Sequence, residues 1–391
     1  MSDRVLPDYD GGSIVNLAAS ILDALGVQPP NRPCRGELLP ADLLTSRSGI
    51  VLLVCDALGL NQLRYGLGSQ RMPCLCRLAS KSFGLQQLTS VFPSTTTAAL
   101  TSLSTARTPS QHGILGHKQW VDEVGQVCDM LRYCTATPPH VTFDEELTSV
   151  VPTMFELLNA QGVANFNISA NAYEGTAFSA TLTRGSSCLG YRSISEIPHL
   201  IESTMGAAPS FHFAYWAMVD TLAHIYGATS GHSSGNPSLL ELSLIDLVIA
   251  ELVEVCDRHN RLLLIVADHG QTNLTPERSL ALDGDVAALL RHVPGGGRRA
   301  AYLTTDDPQR LAALPQLQQG DIEVVKTDRA VDDGWFGGDC EPFRSRLGQL
   351  IVLPTADRQI LFDYGHGLHP FRGAHGGLSA DEMLVPLLVH H

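Results

Sequence analysis

An α/β fold with a central, mostly parallel sheet flanked by helices, plus a small inserted α+β cap, is predicted by three features of the sequence. Apolar runs of strand length recur and are continuous rather than alternating: GIVLLVC from Gly49, FHFAYWAMV from Phe211 and LLLIVA from Leu262. Such runs belong to strands covered on both faces, as in parallel sheets. Segments with apolar residues at helical spacing lie between them, giving βαβ alternation. The tract from about 283 to 349 breaks this rhythm with a Gly-rich turn and short elements.

Taken in order, a first helix is capped by Ser13, carries Ile14, Leu17, Ala18, Ile21, Leu22 and Leu25 on one face, and stops at Gly26. The run from Gly49 ends abruptly at Asp56, before a glycine-containing turn. Pro93 and four hydroxyl residues, Ser94, Thr95, Thr96 and Thr97, precede a helix expected from Ala98 to Ser104. Pro152 to Ala160 reads as a helix and Val163 to Ile168 as the strand after it. Phe211 to Val219 reads as a strand ending at Asp220, Leu239 to Val255 as an amphipathic helix, and Leu262 to Ala267 as a strand ending at Asp268. The inserted tract holds the turn PGGGRR, a strand AAYLTT, a helix from Pro308 and a strand from Ile322 to Val325. LIVLP and GAHGGLSADEMLVPLLVHH then return to the core, which predicts a core of residues 1–282 and 350–391 and a cap of residues 283–349.

The chain has 391 residues, of which 44% are hydrophobic and 17% charged, enough apolar surface to fold and too much for global disorder. Its 26 Lys and Arg against 40 Asp and Glu leave a net charge of −14, which argues against a nucleic-acid polymer as partner. An anionic substrate therefore needs a local cationic site, and a metal is the first candidate. No apolar run reaches the roughly 18 to 20 residues of a membrane span. The opening MSDRVLPDYDGG has no signal-peptide core, so a cytoplasmic location is expected. Nine cysteines, an odd number scattered through the chain, suit reduced thiols, and the lone CxC of Cys74 and Cys76 reads as buried small hydrophobes.

Asp56, Asp220 and Asp268 each follow a predicted buried strand, and in open parallel sheets the carboxyl ends of strands face the ligand crevice. One such Asp is commonly a turn former; three together suggest a site. Asp220 and His224 are four apart, on one side of a helical turn. Asp268 and His269 share a bend at Gly270, and His375 lies on a loop with Gly373, Gly376 and Gly377. Carboxylate plus imidazole at three loci suits two first-row divalent ions. A hydroxyl at the start of the helix after Pro93 would face free backbone N–H groups suited to phosphate oxygens. No GxSxG elbow accompanies it, so its activation would come from metal. His112 reads as structural, and histidines without partners nearby in sequence, His232 among them, as ordinary.

Asp56 with the segments PSTTTAALTSLSTARTPSQHGI, DTLAHIYG, ADHG and GAHGG occurs in the order of the alkaline phosphatase superfamily. The sequence resembles most closely its nucleotide pyrophosphatase/phosphodiesterase branch, and is similar also to the phosphonoacetate hydrolases. The resemblance spans about 50 to 385 and implies an alkaline phosphatase-like core. It implies a nucleophilic Thr three residues after Pro93 and sixteen before His112, which is Thr96. It further implies one metal held by Asp220, His224 and His375 and a second held by Asp56, Asp268, His269 and the Thr96 oxygen. Zinc is the expected ion, with manganese or iron as alternatives. Where phosphodiesterase relatives carry an Asn that holds a phosphoryl oxygen, this chain has His117, the expected substrate contact.

The activity implied is a bimetallic phosphodiesterase or nucleotide pyrophosphatase acting on a small-molecule phosphodiester or nucleotide through a phosphothreonine intermediate. A phosphonate hydrolase using the same site and a non-catalytic, metal-stabilised nucleotide-binding protein are the alternatives. A sulfatase is disfavoured because no Cys or Ser followed by x-Pro-x-Arg stands at the nucleophile segment.

Overall fold

Strands Gly49–Cys55 and Leu262–Val266 are buried at every position, and they form the middle of a seven-stranded sheet. In the computed structural model, which describes residues 4–81, 83–144, 147, 151–229 and 237–391, the order across this sheet is 85–89, 384–390, 262–266, 49–55, 210–216, 164–170 and 187–191. The five strands from 262–266 to 187–191 run parallel, and 384–390 lies antiparallel to both its neighbours. The chain adds strands to both sides of Gly49–Cys55, so the crevice at the carboxyl ends opens where Asp56 and Asp268 emerge. His232 lies outside the described residues.

The first helix spans Ile14–Ala24, with Ser13 as N-cap and Asn16 closing a capping box. The helix after Pro93 spans Thr96–Thr105, starting two residues earlier than expected, with Thr95 as N-cap. A further correction concerns Asp220. The strand is Ser210–Trp216, and Asp220 sits in the first turn of the helix Met218–Tyr226 rather than at a strand end. The apolar run continues through Met218 and Val219, so hydrophobicity alone does not mark the boundary.

The second unit is larger than the expected insertion. Its own seven-stranded sheet has the order 322–326, 350–354, 301–303, 295–296, 118–121, 126–129 and 134–135, all antiparallel. Leu350–Pro354, expected in the core, pairs with Ala301–Leu303 and Ile322–Lys326 instead. Strands from 118 to 135, far from the 283–349 tract in sequence, join through Gly296 and Lys118. All nine cysteines are free, and no described helix is long and apolar enough to cross a membrane.

His112 is buried beside the Thr96–Thr105 helix, as its structural reading requires. The Ile114 N–H donates to its Nδ1 (3.1 Å), so Nε2 carries the proton and donates to Ser102 Oγ (2.9 Å). Burial, with the positive charges of Arg107 and Arg346, holds its pKa down to about 3. Since the unfolded imidazole titrates near 6.5, the unfolded chain takes up a proton that the folded one refuses. Stability from this site is complete above pH 6.5 and is lost as pH falls toward about 3, at up to about 1.4 kcal/mol per pH unit. Denaturant midpoints measured across this range should show a shallower acid slope in His112→Asn than in the unaltered protein.

Candidate metal centre

Two carboxylates of the site, Asp56 and Asp268, are each held by one oxygen and bare at the other. Asp268 Oδ1 accepts the backbone N–H groups of His269 (2.9 Å) and Ala57 (3.1 Å), the latter aimed by a left-handed turn at Ala57. Tyr215 donates its hydroxyl to Asp56 Oδ2. Asp56 Oδ1 and Asp268 Oδ2 are buried without a hydrogen-bond partner. Buried polar atoms are normally paired, so two orphaned carboxylate oxygens in one pocket mark a place for a cation.

The three histidines are oriented in the same manner. His224 Nδ1 meets the Gly373 carbonyl (2.7 Å), His269 Nδ1 that of Gly270 (3.0 Å), and His375 Nδ1 that of Ser94 (3.0 Å). A carbonyl only accepts, so these contacts assign the proton to Nδ1 and leave each Nε2 with a free lone pair. Those Nε2 atoms face the carboxylates. His269 Nε2 lies 3.4 Å from both Asp56 Oδ1 and Asp268 Oδ2, His375 Nε2 3.4 Å from Asp220 Oδ1, and His224 Nε2 3.2 Å from Asp220 Oδ2.

The six carboxylate and imidazole side chains of the expected ligand set lie together, though their grouping differs from the expectation at one point. Asp56, Asp268 and His269 form one compact set of ligand atoms, while the other comprises Asp220, His375 and His269. His224 stands at the edge of this second set, against Asp220. His269 serves both because its ring stacks on His375, centroids 3.9 Å apart.

Electrostatics favour the same conclusion. Burial raises the Asp56 carboxyl well above its ordinary range, and the charges of Asp268 and Asp220 push it further. Burial raises Asp268 too. At Asp220 burial is outweighed by the imidazoles of His224, His375 and His269, which hold the carboxyl below its usual range. A buried pocket with three carboxylates and three imidazoles whose Nε2 atoms face them fits divalent cations in number and kind of donor.

Thr96 is the hydroxyl that reaches this cluster. Its Oγ1 lies 3.2 Å from His269 Nε2, at the first position of its helix, where backbone N–H groups have no intrahelical partner. Thr95 and Thr97 are buried, and Thr97 Oγ1 donates to the Gly116 carbonyl (3.1 Å). A cleft of about 340 Å³ adjoins the site, lined by Asp56, Thr96 and Asp220 together with Phe155, Phe178 and Phe213. His117 pairs with Asp129 (3.5 Å), and among the described residues no hydrogen bond or ion pair joins it to the cluster.

Several residues support this arrangement, of which Gln271 and Tyr215 escaped the sequence reading. Gln271 donates to Asp220 Oδ1 (3.0 Å). Ser94 Oγ donates to the Gly377 carbonyl (2.8 Å), tying the Thr96 loop to the His375 loop. Gly270 is required at the His269 bend because a Cβ there would stand 2.0 Å from the Asp381 carbonyl oxygen. Tyr215 carried a signal, since a hydroxyl at the end of an apolar strand usually has a buried partner.

The sequence matches the family of type I phosphodiesterases and nucleotide pyrophosphatases over residues 50–378. Among solved structures, the fold is similar to that of murine ectonucleotide pyrophosphatase/phosphodiesterase 5, at 15% identity over 88% of each chain, with a TM-score of 0.67. It is similar also to phosphonoacetate hydrolase from Sinorhizobium meliloti 1021 in complex with phosphonoformate, at 16% identity over 88% of this chain and 90% of that one, with a TM-score of 0.64. No curated protein matches the sequence.

Proposed function

The chain belongs to the type I phosphodiesterase and nucleotide pyrophosphatase family, hydrolases of phosphoester bonds, and from that premise we propose that it cleaves a small phosphodiester or phosphoanhydride through a phosphothreonine on Thr96. The observation that carries this reading is the Thr96 hydroxyl at a helix start, beside a buried set of ligand atoms with two unpartnered carboxylate oxygens.

Asp56, Asp268, His269 and Thr96 would hold one divalent cation, and Asp220, His375 and His224 the second, with zinc the proposed ion and manganese or iron suited to the same donors. When bound, such cations lower the pKa of a coordinated hydroxyl or water and offset phosphoryl charge.

The remaining chemistry belongs to the chain. Thr96 Oγ1 gives up its proton to solvent, attacks phosphorus and forms the new O–P bond, while the leaving oxygen departs with the electron pair of the broken P–O bond. Water then attacks phosphorus and breaks the Thr96–phosphoryl bond, which restores the hydroxyl. The free N–H groups at the start of the Thr96–Thr105 helix are suited to the phosphoryl oxygens. Tyr215 and the Ala57 and His269 backbone amides keep Asp56 and Asp268 oriented throughout. The likeness to a phosphonoacetate hydrolase keeps a phosphonate substrate as the second reading.

Hydrolysis of a p-nitrophenyl phosphodiester should disappear on chelation and return with zinc, manganese or ferrous ion. The thermal midpoint should fall with the metal, because the buried carboxylates then repel one another. Preference over a p-nitrophenyl monoester and phosphonoacetate decides between the two readings. Undiminished turnover in metal-free protein would overturn both.

A further inference from the structure

A second charged group stands next to the cluster, on the other sheet. Pairing of Gly296 with Lys118 brings the strand Lys118–Val121 alongside the turn that carries Arg298. The Arg298 guanidinium lies over the ring of Phe371, 3.9 Å from its centroid, and that ring lies 4.5 Å from the imidazole of His224. A cation and a residue at the edge of the candidate metal centre therefore pack against the same aromatic ring. Lys118 Nζ lies 4.9 Å from the Tyr364 ring centroid, and Tyr364 is fixed by donating to the Pro294 carbonyl (3.0 Å).

The anionic side of this group is incomplete. Asp129 is the carboxylate against Lys118, at 3.9 Å, and it is shared with His117 at 3.5 Å. Arg298 donates to Gln359 Oε1 at 3.4 Å, and among the described residues no carboxylate forms an ion pair with it. Burial pushes the Arg298 pKa down to about 10 and lowers that of Lys118. In a chain with a net charge of −14, a partly buried arginine would ordinarily find an acidic partner. A partner-poor cation beside a phosphoryl-transfer site is therefore not explained as a solubilising charge.

We propose that Arg298 and Lys118 form a subsite for a second anionic group of the substrate, beyond the phosphoryl that Thr96 attacks. The guanidinium suits a phosphate or a carboxylate, both of which accept its paired N–H donors. The favoured substrate is then a phosphoanhydride with a further phosphate, or a phosphonate with a carboxylate, rather than a simple diester with neutral groups. The inference rests on the phosphoester-hydrolase reading for its substrate and on the geometry for its anion.

Steady-state kinetics of Arg298→Gln and Lys118→Gln against bis(p-nitrophenyl) phosphate, a nucleoside triphosphate and phosphonoacetate test it. The Arg298 change should raise KM about tenfold or more for whichever substrate uses the subsite. Turnover of the bis-aryl diester should stay within about twofold, which also shows that the variant folds. A KM effect confined to the triphosphate identifies a phosphate ligand, and one confined to phosphonoacetate identifies a carboxylate. Equal KM changes for all three, or none, overturn the subsite. Calorimetric titration of the metal-loaded protein with inorganic pyrophosphate reads the subsite without turnover. Arg298-dependent binding without hydrolysis of any substrate would sink the hydrolase reading and leave the subsite standing, whereas equal affinity in both proteins overturns it.

Discussion

Thr96→Ala is expected to lower turnover by about 10⁴-fold or more, since loss of a nucleophile leaves only binding and electrostatic stabilisation. Bound metal should be nearly unchanged, because the six carboxylate and imidazole ligands remain and the two bare carboxylate oxygens belong to Asp56 and Asp268. The fold should persist as well. Thr96 is the partly exposed member of a threonine run whose neighbours are buried, and Thr95 supplies the N-cap. Thr96→Ser keeps a hydroxyl and should recover part of the rate. Thr97→Val is the matched control: it leaves the Gly116 carbonyl without its donor, so it should cost roughly 1 to 3 kcal/mol of stability while sparing the chemistry. Acid-quenched protein treated with labelled substrate should carry phosphate in the unaltered chain and none in Thr96→Ala. Normal turnover in Thr96→Ala would end the covalent mechanism.

Much of the site was legible because its elements are local. Asp56 and Asp268 end continuous apolar runs, and such runs in adjacent parallel strands bring their ends together. Asp220 and His224 were paired correctly by helical spacing, although the apolar run concealed where strand gives way to helix. Sharing of His269 between two ligand sets was not legible, because it depends on the stacking of two loops a hundred residues apart. The second sheet was hidden for a related reason. Several of its strands are only two or three residues long, and Lys118 pairs with Gly296 far along the chain, which no local pattern encodes. The resemblance supplied His117, yet its imidazole pairs with Asp129 on that sheet.

Glu382 is the position where a residue distant from phosphorus should have the largest effect. It is fully buried, and its carboxylate accepts from Arg299 Nε (3.1 Å) and Nη2 (3.0 Å), from the Gly377 N–H (2.9 Å) and from Ser379 Oγ (2.6 Å). Its backbone carbonyl accepts the Gly270 N–H (2.8 Å). One residue thereby anchors the loop of His375 through its side chain and the bend of His269 through its main chain. Arg299 also donates to the Ala356 carbonyl (3.2 Å), so the pair fastens both loops to the second sheet. Glu382→Leu leaves the Arg299 charge buried and unpaired, which should cost about 3 to 5 kcal/mol. It also frees the Gly377 amide, and metal affinity should fall about 10-fold to 100-fold, as when outer partners of metal ligands are removed. Adding Arg299→Met removes the orphaned charge and should restore much of the stability, since an apolar pair of similar volume can replace a buried ion pair. It cannot restore the acceptor for Gly377. The double variant should therefore melt near the unaltered protein yet still bind zinc weakly. Recovery of both properties together would show that Glu382 acts only through the stability of the fold and does not position His375.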